Sequence, residues 1–518
     1  MTSQVIVIRE GSLAEHALAR QFDFNLWLQQ QLHSTPWWLA SLIFHVLLIL
    51  MLATLPDMTP PQPPDVPIVT ARVPDIDPEI TKMPDPEPIK PLTPENIKTV
   101  ETFLPPVENP SDDPNENPTD SLSQSPLMAK GYHDTTGIGG GFGPKGGNGP
   151  RGNFRTKNKP ENQSVLAALK WLARHQNPDG SWGAKSFQRQ CRSTKCLGAG
   201  DEQFDIGLTG LALLAFTGAG YRTSSLRDVY DGICFGDVVR NAAKYLIDRQ
   251  LPDGSFSASK DGKFMYNQAI CAYALADLYS QSMHSPAGLN FQEPVERAVK
   301  FLLESRNPGK AWRYQPRDGQ NDTSVTGWVM MALKTADHCG ITVPAEAFAG
   351  IKSFYDDVTD PNYGQVGYTE PGSKAVMSHE DIRNIMIQPS LTAIGVMTRI
   401  FIDKKASDPI IKLGVAEILK SLPAWDTSKS GVIDYYYWFY ATYCLNQYDG
   451  PDGPGWKAWN EKMKDVLLKN QCSKADACAD GSWEPIDRWS AEGSRVYATA
   501  INALTLEVYY RLEIVRLK

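Results

Sequence analysis

Residues 160–515 contain a repeating two-helix pattern, which constrains the fold more than any other feature of the sequence. Each unit has an amphipathic helical segment, a polar loop with an aromatic residue and usually a glycine, and a second segment that is apolar on almost every side. The units are segments 165–184 with 205–221, 238–257 with 265–280, 293–315 with 322–340, 345 to about 402, 414–422 with 434–445, and 456–471 with 496–510. The pattern predicts an all-α fold of six helical hairpins.

The two segments of a unit differ in a way that predicts their layering. A helix with one polar face lies at the surface, whereas a helix that is apolar all round is enclosed. The enclosed segments carry pairs of short residues that let helices approach closely, namely Thr209-Gly210, Thr326-Gly327, Thr392-Ala393 and Thr499-Ala500. An open solenoid needs polar capping repeats at its ends, and neither the first nor the last unit has that character. We therefore expect two concentric helix layers in a closed ring, an α/α toroid.

Four loops share a second motif: QNPDGSW (176–182), RQLPDGSF (249–256), RNPGKAW (306–312) and DGSW (480–483). They resemble the Gln-Trp repeats of squalene/hopene cyclases and protein prenyltransferase β subunits, over about residues 160–515. The resemblance implies an α/α toroid whose inner helices line a central cavity. It also implies a structural role for the motif, in which Gln caps a helix and Trp packs over it. The residues that carry the motif here are Gln176, Trp182, Gln250, Phe256, Trp312 and Trp483.

The chemistry of these families is not retained in the matching positions. The resemblance to the cyclases puts their acid motif at Gly319–Thr323, where Asn321 replaces the proton-donating aspartate. Asp322 is the remaining catalytic candidate, and its alternative role is to cap the following helix. The resemblance to the prenyltransferases puts their zinc-binding histidine at Tyr440. A thioester motif is excluded because the segment CLGAGDEQ (196–203) has the wrong spacing.

Polar and aromatic residues recur where the inner helices begin. In a ring these positions meet at one rim, where they would form a polar, aromatic-edged pocket for a lipid or peptide. The alternative is that the aspartates cap helices and the tyrosines fill space between them. The candidates are Asp205, Tyr266, Asn267, Asn321, Asp322, Thr323, Gln388, Asp434, Tyr435, Tyr436 and Tyr497.

Four of the eight cysteines lie in polar insertions of the first and last units, which a closed ring makes neighbours. Local disulfides, Cys191 with Cys196 and Cys472 with Cys478, are the favoured interpretation and suit an extracytoplasmic domain. A four-cysteine zinc site and free thiols remain as alternatives; the spacings are looser than Cys-x-x-Cys. We therefore expect disulfides, no metal and no cofactor.

The segment 37–55 reads WWLASLIFHVLLILMLATL, 19 residues without a formal charge, which is about the length of a transmembrane helix. A cleaved signal peptide is the alternative, but 36 residues precede the run and no convincing cleavage site follows. Arg9 and Arg20 lie before the helix, so the positive-inside rule favours a cytoplasmic segment 1–36 and an extracytoplasmic, periplasmic C-terminal side. We expect a single-pass protein of the inner membrane.

Between the anchor and the ring lie two segments without a hydrophobic core. Residues 56–136 are rich in proline and acidic residues, which predicts an extended linker. Residues 137–158 are rich in glycine and predict a flexible tether to the domain at 159–518. The net charge is −8 and no lysine/arginine cluster occurs, which disfavours nucleic-acid binding.

Three functional hypotheses follow from the sequence. The first is a non-canonical toroid that binds a lipid, a peptide or an envelope protein. The second is a terpenoid cyclase-like enzyme that acts on an isoprenoid-type lipid with an atypical acid. The third is a structural envelope spacer.

Overall fold

The computed structural model describes residues 45–46, 159–192, 195–260, 262–282, 290–373, 388–403, 407–473, 477–509 and 511. The chain forms two units, Met1–Asn109 and Pro110–Lys518. Of the first unit only His45 and Val46 are described, and both are helical and exposed. The predicted transmembrane helix at 37–55 otherwise lies outside the described residues, as do the linker 56–136 and the tether up to residue 158. No helix among the described residues combines the length and apolarity needed to cross a membrane.

The second unit is built almost entirely of α-helices, twelve of them in its described part. They are α1 (Pro160–Arg174), α2 (Asp205–Gly218), α3 (Phe235–Arg249), α4 (Phe264–Ser282), α5 (Gln292–Ser305), α6 (Thr323–His338), α7 (Ala345–Val358), α8 (Ser390–Asp403), α9 (Pro409–Ile418), α10 (Tyr435–Asp449), α11 (Pro454–Lys469) and α12 (Ser490–Leu506). Short 3₁₀ helices occur at Ser186–Gln190, Glu202–Phe204 and Glu507–Tyr509. Two-residue strands β1 (Val229–Tyr230) and β2 (Ile233–Cys234) pair antiparallel before α3.

Odd-numbered and even-numbered helices differ in burial as their sequences require. In α5 the buried residues recur at helical spacing, from Val295 through Ala298 and Val299 to Leu302, so that only one face is covered. In α10 every residue from Tyr435 to Gln447 is buried. The odd-numbered helices therefore form an outer layer and the even-numbered helices an inner layer.

The inner helices form a closed ring. Each packs against the next in the series α2, α4, α6, α8, α10 and α12, and α12 packs against α2. Each outer helix contacts at least one neighbouring inner helix, and α1 contacts both α11 and α12 from the other end of the domain. The predicted helical class and the α/α toroid are confirmed, while the count of six hairpins stays a prediction.

The Gln side chains of the loop motif connect neighbouring outer helices. Gln176 Nε2 donates to the carbonyl oxygens of Gly180 (2.9 Å), in its own loop, and Val238 (3.0 Å), in α3. Gln250 and Gln471 repeat this pattern, reaching Pro294 in α5 and Ser164 in α1, respectively. Gln471 lies on the far side of the cysteine insertion from the DGSW motif, so the sequence pattern missed it. The last loop thus contacts the first outer helix just as the earlier loops contact the helix that follows them.

The Trp side chains of the motif satisfy carbonyl groups at the ends of the outer helices. A helix leaves its last four carbonyl groups without intrahelical partners. The indole Nε1 donates to one of the last carbonyls of the preceding helix, in the pairs Trp182 with Leu172 (2.8 Å), Trp312 with Leu302 (2.7 Å) and Trp483 with Leu467 (2.9 Å). All three tryptophans are buried, so each bond also gives a buried indole N–H a hydrogen-bond partner.

Gly481→Ala should weaken the joint between the last loop and the first helix. Gly481 has φ +89°, which costs an alanine about 1–2 kcal/mol, and its Cβ would lie 2.2 Å from the carbonyl oxygen of Ala167 in α1. Backbone must therefore move, adding roughly 1–3 kcal/mol. The control is Gly309→Ala, since Gly309 has φ +69° but open space around its Cβ. We expect a clearly lower unfolding midpoint for Gly481→Ala in calorimetry; equal midpoints would show that the close approach is not maintained.

Candidate ligand cavity in the ring

A cavity opens among the inner helices near the ends at which they begin. Together with the part that is open to solvent, its empty space is about 930 Å³. All six inner helices contribute, together with residues in the loops that precede them. Most of the wall is apolar or aromatic, formed by Phe204, Leu208, Leu211, Ile270, Tyr266, Tyr314, Trp328, Tyr368, Leu391, Tyr436, Trp489 and Tyr497. The polar side chains in the wall, besides the tyrosine hydroxyls, are Lys263, Asn267, Ser324, Ser390 and Glu492.

Two groups of hydroxyls mark the wall of the cavity. Tyr266 donates to Ser324 Oγ (2.8 Å), which lies 2.7 Å from the hydroxyl of Tyr436. The hydroxyls of Tyr314 and Tyr368 lie 2.7 Å apart. Burial raises the pKa values of Tyr266 and Tyr436 well above the usual value near 10, so both remain neutral phenols. These hydroxyls can donate hydrogen bonds to a bound polar atom or accept them from it, but they are very weak acids and do not readily transfer a proton.

Aromatic packing fixes the shape of the wall. Trp328 is stacked on Phe439 with 5.9 Å between ring centroids and meets Tyr440 edge-on at 5.7 Å. Tyr436 packs edge-on against Trp489 at 5.9 Å. Offset and edge-to-face contacts of this kind stabilise a single arrangement of the rings. Tyr440, at the position that the prenyltransferase resemblance would give to a zinc ligand, is thus part of this aromatic packing.

One pair of opposite charges lines the cavity. Lys263 Nζ lies 2.5 Å from Glu492 Oε1, and the two side chains are 32% and 44% exposed. An ion pair with that exposure contributes little to stability, about 0–1 kcal/mol. Since the charges cancel, the cavity has no strong preference for an anionic or a cationic ligand.

Asp322, the remaining catalytic candidate, does not line the cavity. It caps α6, because its Oδ1 accepts from the backbone N–H of Val325 (2.8 Å). Its Oδ2 lies 3.8 Å from Arg313 Nε. Burial raises the pKa of Asp322 to about 7, against the opposing effect of the hydrogen bond from Val325. The residue is therefore a weak acid in a capping position.

A second pair of buried carboxyls, Asp434 and Asp487, lies behind the cavity wall. Asp434 Oδ1 accepts from the N–H of Tyr437 (2.9 Å) and from the indole of Trp489 (3.2 Å). Asp487 Oδ2 accepts from the N–H of Tyr435 (3.2 Å) and from the hydroxyl of Tyr497 (3.4 Å). Burial raises the pKa of both, and the nearby charge of Asp434 helps to raise that of Asp487 to about 7. Sequence reasoning missed Asp487 because it lies in a loop without a recognisable motif.

The structure brings four of the predicted rim residues together and leaves the others outside the cavity. Tyr266, Asn267, Tyr436 and Tyr497 line it. Five others form hydrogen bonds with nearby backbone groups instead. Two of them accept from backbone N–H groups: Asp205 from Ala184 and Asn321 from Ala311. Three donate to carbonyl oxygens: Thr323 to Gly367, Gln388 to Gly431 and Val432, and Tyr435 to Glu484. These five residues contact backbone rather than the cavity, and the aspartates that cap helices, as the structural alternative described, are Asp322 and Asp434.

The predicted disulfides are not formed. None of the eight cysteines is disulfide-bonded in the structure. Cys191 and Cys196 lie instead with Cys478, from the last unit, around His175. Cys472 lies apart from this group, with its Sγ 3.4 Å from Glu484 Oε1. Ring closure therefore brings cysteines from the two insertions close together, whereas the sequence suggested disulfides within each insertion.

The closed inner ring and its outer helix layer define the class of this domain as an α/α toroid. No protein-family model matches the sequence, and no curated protein matches it either. Several solved structures are similar. The GH76A α-1,6-mannanase from Salegentibacter sp. HEL1_6 is 10% identical, with a TM-score of 0.44, over 68% of this chain and 99% of the mannanase.

Two other similar structures belong to enzymes of different kinds. An α-amylase from Clostridium perfringens is 10% identical, with a TM-score of 0.42, over 67% of this chain and 98% of the amylase. A variant of the type II terpene cyclase MstE from Scytonema is 15% identical, with a TM-score of 0.40, over 68% of this chain and 97% of the cyclase. Likeness at this level says nothing about activity, and the assignment as a toroid depends on the helix contacts of this chain.

Proposed function

We propose that the toroid is a binding domain for an apolar lipid that carries one polar oxygen. The observation that supports this is the composition of the cavity wall. Aliphatic and aromatic side chains from all six inner helices surround the cavity. The three neighbouring hydroxyls of Tyr266, Ser324 and Tyr436 can form hydrogen bonds with a ligand at one place in the wall. Binding pockets for small apolar ligands have this combination of an apolar lining and few polar groups that set orientation.

A lipid suits this wall better than a peptide. A bound peptide needs partners for the N–H and C=O groups of each residue, because burying them without hydrogen bonds is costly. Among the described residues that line the cavity, the polar groups are few and the single lysine is paired with Glu492. A lipid tail needs no such partners.

Binding is also favoured over cyclisation. Protonation of an alkene requires a strong acid in contact with the substrate, and Asn321, at the expected proton-donor position, has an amide that holds the N–H of Ala311 (3.0 Å). Asp322 and Asp487, with pKa values raised to about 7, are weak acids behind the wall. An enzyme acting on an isoprenoid-type lipid is therefore the second candidate. The observation in its favour is that the carboxyl of Asp487 accepts a hydrogen bond from Tyr497, which lines the cavity.

The proposal extends to location and partners. The apolar segment 37–55 would anchor the chain in the inner membrane, and the linker would hold the domain on the periplasmic side, where lipids and envelope proteins are available. Alkaline extraction of membranes and protease treatment of spheroplasts would test both points. Release of the chain by alkali, or protection of the domain from protease, would contradict them.

Filling the cavity should weaken lipid binding. Ile270 lines the wall, so Ile270→Trp would occupy the space of the ligand. With farnesol as the probe, titration calorimetry on the full-length protein should show at least about a tenfold weaker affinity, equivalent to about 1.4 kcal/mol. Leu226→Trp is the control, because Leu226 is 55% exposed and does not line the cavity.

Two results would contradict this function. One is unchanged farnesol affinity in Ile270→Trp. The other is the absence both of farnesol binding and of any lipid in solvent extracts of the protein purified from its own membranes. Conversion of farnesol to a cyclic product by the wild type would instead support the enzyme.

A further inference from the structure

Four potential metal ligands meet where the first and last parts of the ring join. His175 follows α1, Cys191 and Cys196 lie in the loop between α1 and α2, and Cys478 lies in the loop between α11 and α12. His175 Nε2 is 3.7 Å from the sulfur of Cys191, 3.8 Å from that of Cys196 and 3.3 Å from that of Cys478. All four ligand atoms lie within 4.8 Å of one another.

The orientation of His175 leaves Nε2 free to bind a metal. Its Nδ1 lies 2.8 Å from the carbonyl oxygen of Trp171, and because a carbonyl only accepts, Nδ1 carries the proton. Nε2 therefore presents its lone pair to the three sulfur atoms. The ring is fully buried and stacked on Trp171 at 4.2 Å, which fixes its direction. Histidine ligands of zinc are commonly oriented by such a bond from the other ring nitrogen.

The spacing of the four atoms fits a tetrahedral zinc ion. Zinc binds sulfur at about 2.3 Å and imidazole nitrogen at about 2.0–2.1 Å, so a tetrahedron separates the nitrogen from each sulfur by about 3.6 Å. The observed distances are 3.3, 3.7 and 3.8 Å. Hydrogen bonding alone does not explain the cluster, because one nitrogen lone pair can accept only one well-aligned S–H group.

The surroundings also suit a thiolate-bound metal. The backbone N–H of Cys196 donates to the sulfur of Cys191 (3.3 Å), an interaction that favours negative charge on the sulfur. Cys196 is buried, and Cys191 and Cys478 are partly buried. Three cysteines and one histidine form a complete ligand set of the kind found in structural zinc sites, with no position left for a substrate.

We propose that His175, Cys191, Cys196 and Cys478 bind one zinc ion that joins the first repeat of the ring to the last. Arg495 makes a second contact across the same joint, since its backbone N–H and its side-chain Nε donate to the carbonyls of Gly198 (3.0 Å) and Leu197 (2.9 Å). Gln471, which donates to Ser164 in α1, makes a third. A metal bond here would restrain opening of the ring at the junction of its first and last parts.

Metal analysis of the full-length protein, purified without chelators, tests the proposal. The wild type should contain about one zinc ion per chain, and Cys478→Ser should retain less than about a tenth of it, because each ligand is needed for high affinity. Cys472→Ser is the matched control; it lies in the same insertion but outside the cluster, and it should keep the zinc. Cobalt-loaded wild type and Cys472→Ser should show thiolate-to-cobalt absorption that Cys478→Ser lacks.

A second measurement covers the case in which Cys478→Ser folds poorly. Chelator should lower the unfolding midpoint of the wild type and of Cys472→Ser by similar amounts. Wild-type protein without zinc, or with iron in its place, would overturn the proposal. So would peptide mapping that finds Cys191, Cys196 or Cys478 in a disulfide.

Discussion

Replacing Arg511 with methionine is expected to destabilise the ring by about 3–5 kcal/mol, because the change leaves buried negative charge without its cation. Arg511, Asp277 and Glu507 are each at most 1% exposed. The guanidinium lies 3.1 Å from Glu507 Oε2 and 3.5 Å from Asp277 Oδ2, and it donates to the carbonyl oxygen of Leu214 (2.8 Å). These contacts connect α2, α4 and the 3₁₀ helix after α12, so one residue near the C-terminus bonds two inner helices from the start of the ring.

The effect is measured as the difference in unfolding midpoint from the wild type. Lys244→Met is the control, since the Lys244–Asp248 pair is exposed at the surface and contributes only about 0.3–0.5 kcal/mol. Adding Asp277→Asn and Glu507→Gln to Arg511→Met should recover much of the lost stability, because the buried charges are then removed together. If Arg511→Met unfolds at the same midpoint as Lys244→Met, the buried network does not stabilise the ring.

The fold was predictable because its signals are local and repeated. The one-sided polarity of the outer helices and the even apolarity of the inner helices can be read within each segment, and together they predict two layers. Closure of the ring, by contrast, depends on contacts between residues about 300 positions apart. Gln471 with Ser164 and Arg495 with Leu197 are examples. The sequence supported closure only indirectly, through end units that are not polar caps.

The cavity was predictable in position but only in part by residue. Successive residues of a helix point about 100° apart, so neighbours at a helix start do not share a direction. Tyr436 lines the cavity, whereas Tyr435 donates to Glu484 O on another side (2.8 Å). Residues further along, such as Trp328 one turn into α6, lie beyond the positions that the helix-start pattern singled out.

The two polar clusters that the sequence did not reveal are assembled by tertiary structure. Cys478 and His175 are 303 residues apart, and the cysteine spacings alone favoured local disulfides. Asp434 begins a helix and was predicted as a rim residue, but its partner Asp487 comes from the loop before α12. In both cases chemistry depends on residues from different units, which no single motif contains.

Asp487→Asn is expected to stabilise the protein above pH 7 and to have little effect near pH 4. Asp487 is buried, and this burial, together with the charge of Asp434, raises the pKa of its carboxyl to about 7, from about 3.9 in an unfolded chain. The folded state therefore holds a proton on this group that the unfolded state has lost. The stability that this bound proton gives the folded state is fully present below pH 4 and is lost as the pH rises to 7 and above. The free energy of unfolding should fall by on the order of 3–4 kcal/mol over this range because of Asp487.

Asparagine resembles the protonated acid and does not ionise, so the variant should escape this loss. The measurement is the difference in unfolding free energy between variant and wild type, followed from pH 4 to pH 8, because other titrating groups cancel in that difference. It should rise in favour of Asp487→Asn through this range. Asp452→Asn, at a side chain that is 98% exposed, should give a flat difference. A flat difference for Asp487→Asn as well would mean that the carboxyl ionises freely in the folded protein, and the buried pair behind the cavity wall would then not store a proton at neutral pH.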